Sequence, residues 1–312
     1  MKNKIVVVGS SNTDMVIRVN HIPQPGETII GHDFMTNQGG KGANQAVAAV
    51  AMNGNVVFVA CLGDDGFGRQ SKTMMKERGI DIRFVRLTPD VPTGCAMIAV
   101  DDKGENSIVV SSGANAMLSC EDIDKAMDVI EKEAAVLLMQ LESPIDTLTY
   151  AAAKAHAAGA IVVLNPAPFP SKPLPKDLLK NVDIVVPNET ETAGMTGLLV
   201  ESEGDMVYAI EAIQAKGIKH VIITAGGDGS YTLVDGKLHH QRALKVRPVD
   251  TTAAGDTYCG VLCVALRDGL SLKEAMKMAS VAASLCTTHE GAWSSIPTRE
   301  EVLEKMKELE VS

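Results

Sequence analysis

The residues best suited to chemistry lie at 249–257, Val-Asp-Thr-Thr-Ala-Ala-Gly-Asp-Thr, where small residues lead into a carboxylate and then an apolar run. Ala253, Ala254 and Gly255 carry little or no side chain to screen their N–H groups, and residues 258–266 predict a buried helix. A helix N-terminus leaves amides without intrahelical partners and carries partial positive charge, so a phosphate group fits there. Asp256 would then stand beside the phosphate with a carboxylate able to accept a proton. An ordinary N-capping Asp has the same spelling, so the decision passes to partners elsewhere in the chain.

A second such segment is Gly39-Gly40-Lys41-Gly42-Ala43-Asn44-Gln45-Ala46, whose glycines permit close backbone approach to a ligand. It matches neither the nucleotide-phosphate loop that ends in Gly-Lys-Ser/Thr nor the dinucleotide fingerprint. Asn44, one turn into the predicted helix and able both to donate and to accept, points to a hydroxyl-rich ligand, with a plain glycine turn as the alternative. Asn12 and Asp14 follow the first strand at its carboxyl end, where ligands of open α/β sheets gather, and alternation puts both on one face. Glu142 ends another predicted strand. Asn188 and Glu191 open a helix after a third, where they would hold Mg²⁺ through water or merely cap the helix. The loop of Thr224, Ala225, Gly226, Gly227, Asp228 and Gly229 would offer amides to nucleotide phosphates or simply turn a hairpin.

The elements that must position these groups are legible as apolar β-branched runs at 5–8, 56–60, 136–139, 161–164, 184–186 and 221–224. They alternate with helical spacing at 43–52, 145–158, 206–216 and 272–286, the signature of a mainly parallel sheet wrapped by helices. Ser119 reads as a further helix cap. Residues 15–35 and 93–110 break the rhythm with short alternating strands, which form either a small second sheet over the mouth of the core or two unrelated hairpins. A chain of 312 residues can bury a large core. Its net charge of −10, with no basic stripe, argues against nucleic acid or an anionic membrane as partner. The cysteines at 61, 95, 120, 259, 263 and 286 form no CxxC pair and read as reduced thiols of a cytoplasmic protein. No apolar run is long enough for a signal peptide or a membrane span, so the sequon at Asn188 reads as accidental.

GSSNTD at 9–14, GGKGANQA at 39–46, LMQLESP at 138–144, LNPAP at 164–168, PNETE at 187–191, TAGGDG at 224–229 and DTTAAGDT at 250–257 resemble the motifs of the PfkB carbohydrate-kinase family. The similarity runs from Ile5 to about Glu301. It implies an α/β protein with a three-layer α/β/α fold, one domain over 1–312 with a mainly parallel central sheet. A small β-sheet lid would be formed by about 13–36 and 92–112 and would carry a homodimer contact. The implied reaction is ATP-dependent phosphorylation of D-ribose at its 5-hydroxyl. Asn12, Asp14, Gly40, Lys41, Gly42, Ala43, Asn44 and Glu142 would bind ribose, with Asp256 as general base and the amides of Ala253, Ala254 and Gly255 as anion hole.

By the same resemblance, Asn188, Thr224, Ala225, Gly226, Gly227, Asp228, Gly229, Gly255, Asp256 and Ser280 would hold ATP, and Glu191 would serve Mg²⁺ through water. Asp250, Thr252, Cys286, His289, Gly291 and Ser295 resemble the family's monovalent-cation loop, in which carbonyls and one carboxylate coordinate K⁺. Thr252 and His289 depart from the aliphatic and basic residues often found there, and Trp293 lies in the same loop. The alternatives are a deoxyribose or nucleoside kinase and a sugar-sensing protein without turnover. Asp14, Lys41, Asn44 and Glu142 favour free ribose, and an aromatic content of 3% leaves no evident shelf for a nucleobase. The intact segment 253–256 favours turnover.

Overall fold

The computed structural model describes residues 2–311. It begins β1 (Lys4–Val8), β2 (Asn12–Val19), β3 (His32–Gly39), α1 (Lys41–Ala51), β4 (Asn55–Gly63), α2 (Gly66–Glu77), β5 (Asp81–Thr88), β6 (Gly94–Asp101) and β7 (Asn106–Ser111). The middle of the chain forms α3 (Cys120–Lys125), α4 (Met127–Lys132), β8 (Ala134–Met139), α5 (Ile145–Ala157), β9 (Ile161–Leu164), α6 (Lys176–Leu179), β10 (Ile184–Val185), α7 (Glu189–Thr196) and α8 (Glu203–Gln214). The remainder is β11 (His220–Val221), β12 (Ile223–Thr224), β13 (Ser230–Val234), β14 (Lys237–Gln241), α9 (Ala254–Arg267), α10 (Leu272–Cys286) and α11 (Arg299–Val311).

Seven strands pair in parallel in the order β11-β10-β9-β8-β1-β4-β5. Each interior strand is buried on both faces, and the strand period of two divides its side chains between two cores. Ile5 and Val7 join α1, α9 and α10 in one core, while Val6 and Val8 join α5 and α8 in the other. Of the six sequence-read strands, 5–8, 56–60, 136–139 and 161–164 lie wholly in this sheet, and 184–186 contributes Ile184 and Val185. The sixth, 221–224, divides: β11 stays in it, whereas β12 turns into a separate three-stranded sheet with β13 and β14. The seventh strand, β5, escaped the sequence reading because it is an edge strand in which Asp81, Arg83 and Arg86 interrupt the apolar run.

Residues 12–19, 32–39, 94–101 and 106–111 form one four-stranded sheet in the order β3-β2-β6-β7, not two unrelated hairpins. The outer pairs are antiparallel, but β2 and β6 meet in parallel, with Asn12 opposite Gly94. This sheet stands on the carboxyl edge of the large one. Asp65, the N-cap of α2, fastens it by accepting from the Thr93 amide at 2.8 Å and the Thr93 hydroxyl at 2.8 Å. Asn115 fastens it from the other side, donating to Asn12 Oδ1 at 2.7 Å and accepting from the Ser11 amide at 2.9 Å.

One contact between α1 and α9 governs the site. A methyl group at Gly260 would lie 2.5 Å from the Gln45 carbonyl oxygen and 2.8 Å from Ala48 Cβ, so only glycine lets these helices approach so closely. Gly260 sits one turn beyond Asp256, and the helix spacing therefore sets how far Asp256 stands from α1. Gly260→Ala is expected to cost about 1–3 kcal/mol through overpacking, read as a lower midpoint in thermal unfolding. An unchanged midpoint would contradict this packing.

Candidate active site

Asp256 lies in the first turn of α9 and is 8% exposed. Two side-chain amides from the start of α1 hold its carboxylate: Asn44 Nδ2 donates to Oδ2 at 2.9 Å and Gln45 Nε2 to Oδ1 at 3.0 Å. Both amides are themselves oriented. Trp293 Nε1 donates to Asn44 Oδ1 at 2.9 Å, and Gln140 Nε2 donates to Gln45 Oε1 at 2.7 Å. Gln45 also donates to Asn165 Oδ1 at 3.1 Å. Both oxygens of the Asp256 carboxylate and both carbonyls of the amides that hold it are thus partnered, as a low-dielectric interior demands, while Gln140 Oε1 is buried without a partner among the described residues.

Asp14, Glu142 and Asp256 face one another around Lys41. Burial first, then the charges of Glu142 and Asp256, push the Asp14 carboxyl up to about 6. Burial works against the charge of Lys41, but the carboxylates of Asp256, Glu142 and Glu191 prevail and hold its ammonium above the usual lysine value. Glu142 accepts from the Ser10 hydroxyl and from the Lys41 amide at 3.1 Å. Backbone proximity makes this crowding possible. Gly40 has φ +87°, and a side chain there would strike Ser11 and the Asn12 amide; one at Gly42 would strike the Ser10 amide, and one at Gly39 the Asp14 carboxylate. Ala43 is buried behind them. Carboxylates and amides packed around one ammonium suit a neutral ligand rich in hydroxyls.

The opposite wall belongs to α9 and α7. Ala253 adopts φ 60°, ψ 8°, a left-handed conformation that costs a non-glycine residue about 1–2 kcal/mol. Among the described residues no acceptor meets the amides of Ala253, Gly255 or Asp256, whereas the Ala254 amide donates to the Thr251 carbonyl at 3.3 Å. Of the three amides read from the sequence as an anion hole, 253 and 255 are therefore the open ones. Lys41, Asn165, Asn188, Glu191, Thr224, Ala253, Gly255 and Asp256 line one cavity of ≈ 250 Å³.

Asn188 and Glu191 form a capping box. Asn188 Oδ1 accepts from the Glu191 amide at 2.8 Å, and the Glu191 oxygens accept from the Asn188 amide at 2.9 Å and from Nδ2 at 3.1 Å. Burial outweighs the Asn188 hydrogen bond and leaves the Glu191 carboxyl above its usual value. Ala225, Gly226, Gly227, Asp228 and Gly229 make a 3-10 turn between β12 and β13, closed by the Ala225 amide on the Gly229 carbonyl at 2.8 Å. The Ser280 hydroxyl is turned onto the Arg242 carbonyl at 3.3 Å.

The six residues read as a cation loop also meet. Asp250 accepts from the Thr252 amide at 2.9 Å and the Gly291 amide at 2.9 Å, and Cys286 Sγ lies 3.1 Å from Ser295 Oγ. Burial raises the Asp250 carboxyl, but the bonds from Thr252 and Gly291 outweigh it and hold the group below the ordinary range. The His289 ring is exposed beside Thr288, while its amide donates to the Cys286 carbonyl at 3.3 Å.

Sequence reasoning missed Gln45, Gln140, Asn165 and Trp293 as parts of this site. Gln45 and Asn165 stood inside quoted motifs, and their amide side chains in otherwise apolar elements were the available signal. Gln140, likewise, is a buried amide at the end of an apolar strand.

A parallel α/β sheet with a hydroxyl-binding wall, an open-amide wall and a held carboxylate between them defines a phosphotransferase acting on a small polyol. The chain belongs to the pfkB family of carbohydrate kinases, whose model matches residues 2–299. It is 41% identical over 304 residues to a ribokinase of Haemophilus influenzae, covering 97% of this chain and 98% of that one. It is 39% identical over 304 residues to a ribokinase of Staphylococcus aureus, covering 97% and 99%. Arabidopsis thaliana ribokinase complexed with ribose and ATP superposes with a TM-score of 0.91 at 33% identity, covering 98% of this chain and 99% of that one.

Because the Asp14 carboxyl is raised in the fold from 3.8 to about 6, its contribution to stability is present below 3.8 and lost as pH rises through 6. Asp14→Asn is therefore expected to raise the melting temperature of the ligand-free protein at pH 8 by a few degrees, and by less at pH 4. Equal shifts at the two pH values in thermal scans would contradict the crowding of these carboxylates.

Proposed function

We propose that this chain transfers the γ-phosphoryl group of ATP to the 5-hydroxyl of D-ribose, giving D-ribose 5-phosphate and ADP, with Asp256 as general base. The observation that carries this reading is the position of Asp256, held by Asn44 and Gln45 between the carboxylate-rich wall and the open amides of Ala253 and Gly255. Asn12, Asp14, Gly40, Lys41, Gly42, Asn44 and Glu142 bind the sugar, whose hydroxyls donate to the carboxylates and accept from Lys41. Asp256 takes the 5-hydroxyl proton as that oxygen attacks the γ-phosphorus and ADP departs. The amides of Ala253 and Gly255 meet the charge on the transferred group without having to reorganise. Lys41 is the only cationic side chain among the described residues lining the cavity, and it neutralises charge on the same side.

The ATP phosphates lie along Asn188, Thr224 and the turn 225–229, with the base end toward Ser280. Glu191 suits Mg²⁺ through water: each of its oxygens accepts one bond from Asn188, and Mg²⁺ keeps several waters in such sites. When bound, the ion supplies charge neutralisation on the phosphates. Asp250, kept ionised by its two amide donors, and the carbonyls around Thr252, Cys286, His289, Gly291 and Ser295 fit K⁺, a cation suited to oxygen ligands. The exposed Phe34, Met97, Ile108 and Val109 of the four-stranded sheet support its reading as a lid that pairs with a second copy of the chain. Among the described residues no helix is long and apolar enough to cross a membrane.

The test is an ADP-coupled assay with Mg²⁺, with and without K⁺, comparing D-ribose, 2-deoxyribose, adenosine and fructose 6-phosphate, with the product's phosphorylated oxygen assigned by NMR. Ribose is expected to give the highest kcat/KM, with phosphate on O5. Turnover of another acceptor with ribose inert would overturn the substrate assignment.

A further inference from the structure

Trp293 is the single tryptophan of the chain, and the reaction described above gives it no part. It is 6% exposed and sits in the loop between Gly291 and Ser295. Its indole nitrogen can only donate, and it does so to Asn44 Oδ1 at 2.9 Å. Asn44 in turn donates from Nδ2 to Asp256 Oδ2 at 2.9 Å, and an ionised carboxylate can only accept. An amide between a donor-only and an acceptor-only group has one permitted orientation.

We propose that Trp293 is a positioning residue of the phosphoryl-transfer site, orienting the Asn44 amide through its indole N–H and thereby the Asp256 carboxylate. The other amide on Asp256, that of Gln45, is held by a separate set of partners: it also donates to Asn165 Oδ1 at 3.1 Å, and Asn165 Nδ2 donates to the Val186 carbonyl at 2.9 Å. The placement of Trp293 is rigid: the Gly291 amide is bound to Asp250 at 2.9 Å, and Ser295 Oγ lies 2.9 Å from the Ala292 carbonyl and 3.1 Å from Cys286 Sγ. Arg78 covers the ring with its guanidinium carbon 5.3 Å from the centroid. Without the indole N–H, Asn44 Oδ1 is a buried acceptor with no partner, and the Asn44 side chain loses the contact that fixes its place beside Asp256.

The inference rests on the kinase reading with Asp256 as base, and the two are separated by assaying the unaltered protein alongside Trp293→Phe, which keeps an aromatic ring and removes the N–H. The variant is expected to lose kcat by on the order of tenfold and to show a several-fold higher KM for ribose, with the KM for ATP unchanged. A merely structural role would lower the concentration of active protein and reduce the rate at an unchanged ribose KM. In the unaltered protein, saturating ribose without ATP is expected to change the Trp293 fluorescence, a measurement that stands even where the variant does not fold. Kinetic constants within twofold of the unaltered protein, rate loss at unchanged ribose KM, or fluorescence indifferent to ribose would each overturn the role of Trp293. Absence of ribose turnover by the unaltered protein would instead overturn the kinase reading.

Discussion

The structure depends on one constraint: a buried carboxylate at the start of a helix has to be held by donors that leave it able to react. Asp256 meets it through side-chain amides, Asn44 and Gln45. A guanidinium fork in their place would bind more strongly and would compete for the same lone pairs. Amides carry no net charge, and these two fix the orientation of the carboxylate. Several other features follow from this arrangement. The amides must come from a helix that approaches α9 closely, which Gly260 allows. Their carbonyl ends must find donors, which Gln140 and Trp293 supply.

The site is assembled against the grain of stability, and the two apolar cores offset it. Asp14, Glu142 and Asp256 crowd one another, the first with its carboxyl raised by burial and by its neighbours. Ala253 is held in a conformation that an alanine avoids. Such local costs are sustained where surrounding structure over-determines them, and they concentrate at reacting centres. Here the surroundings are β1 and α9, among the most deeply buried elements of the molecule.

Much of this was legible in the chain because parallel strands buried on both faces spell short β-branched runs. Residues 5–8 and 136–139 read directly for that reason, and α10 appears at the bounds its spacing implies. β5 did not read, since an edge strand interrupted by Asp81, Arg83 and Arg86 loses the apolar signal. The glycine and small-residue segments at 39–42 and 253–255 marked both walls of the site. Asn188 and Glu191 were readable as a pair, and the structure shows the capping box that the plainer reading allowed. What the sequence concealed were contacts between distant segments. Trp293 and Asn44 lie 249 residues apart, and no periodicity links an indole in a C-terminal loop to an amide on the first helix.

The most direct test of the account removes the carboxylate and asks binding and chemistry separately. Asp256→Ala, examined by calorimetric titration with ribose and by single-turnover phosphoryl transfer from ATP, is expected to keep measurable ribose affinity through Asn12, Asp14 and Glu142. Its transfer rate is expected to fall by about 10²–10⁴, the usual contribution of a positioned general base. A variant that binds ribose and transfers phosphate at the unaltered rate would contradict the assignment of Asp256 as the base.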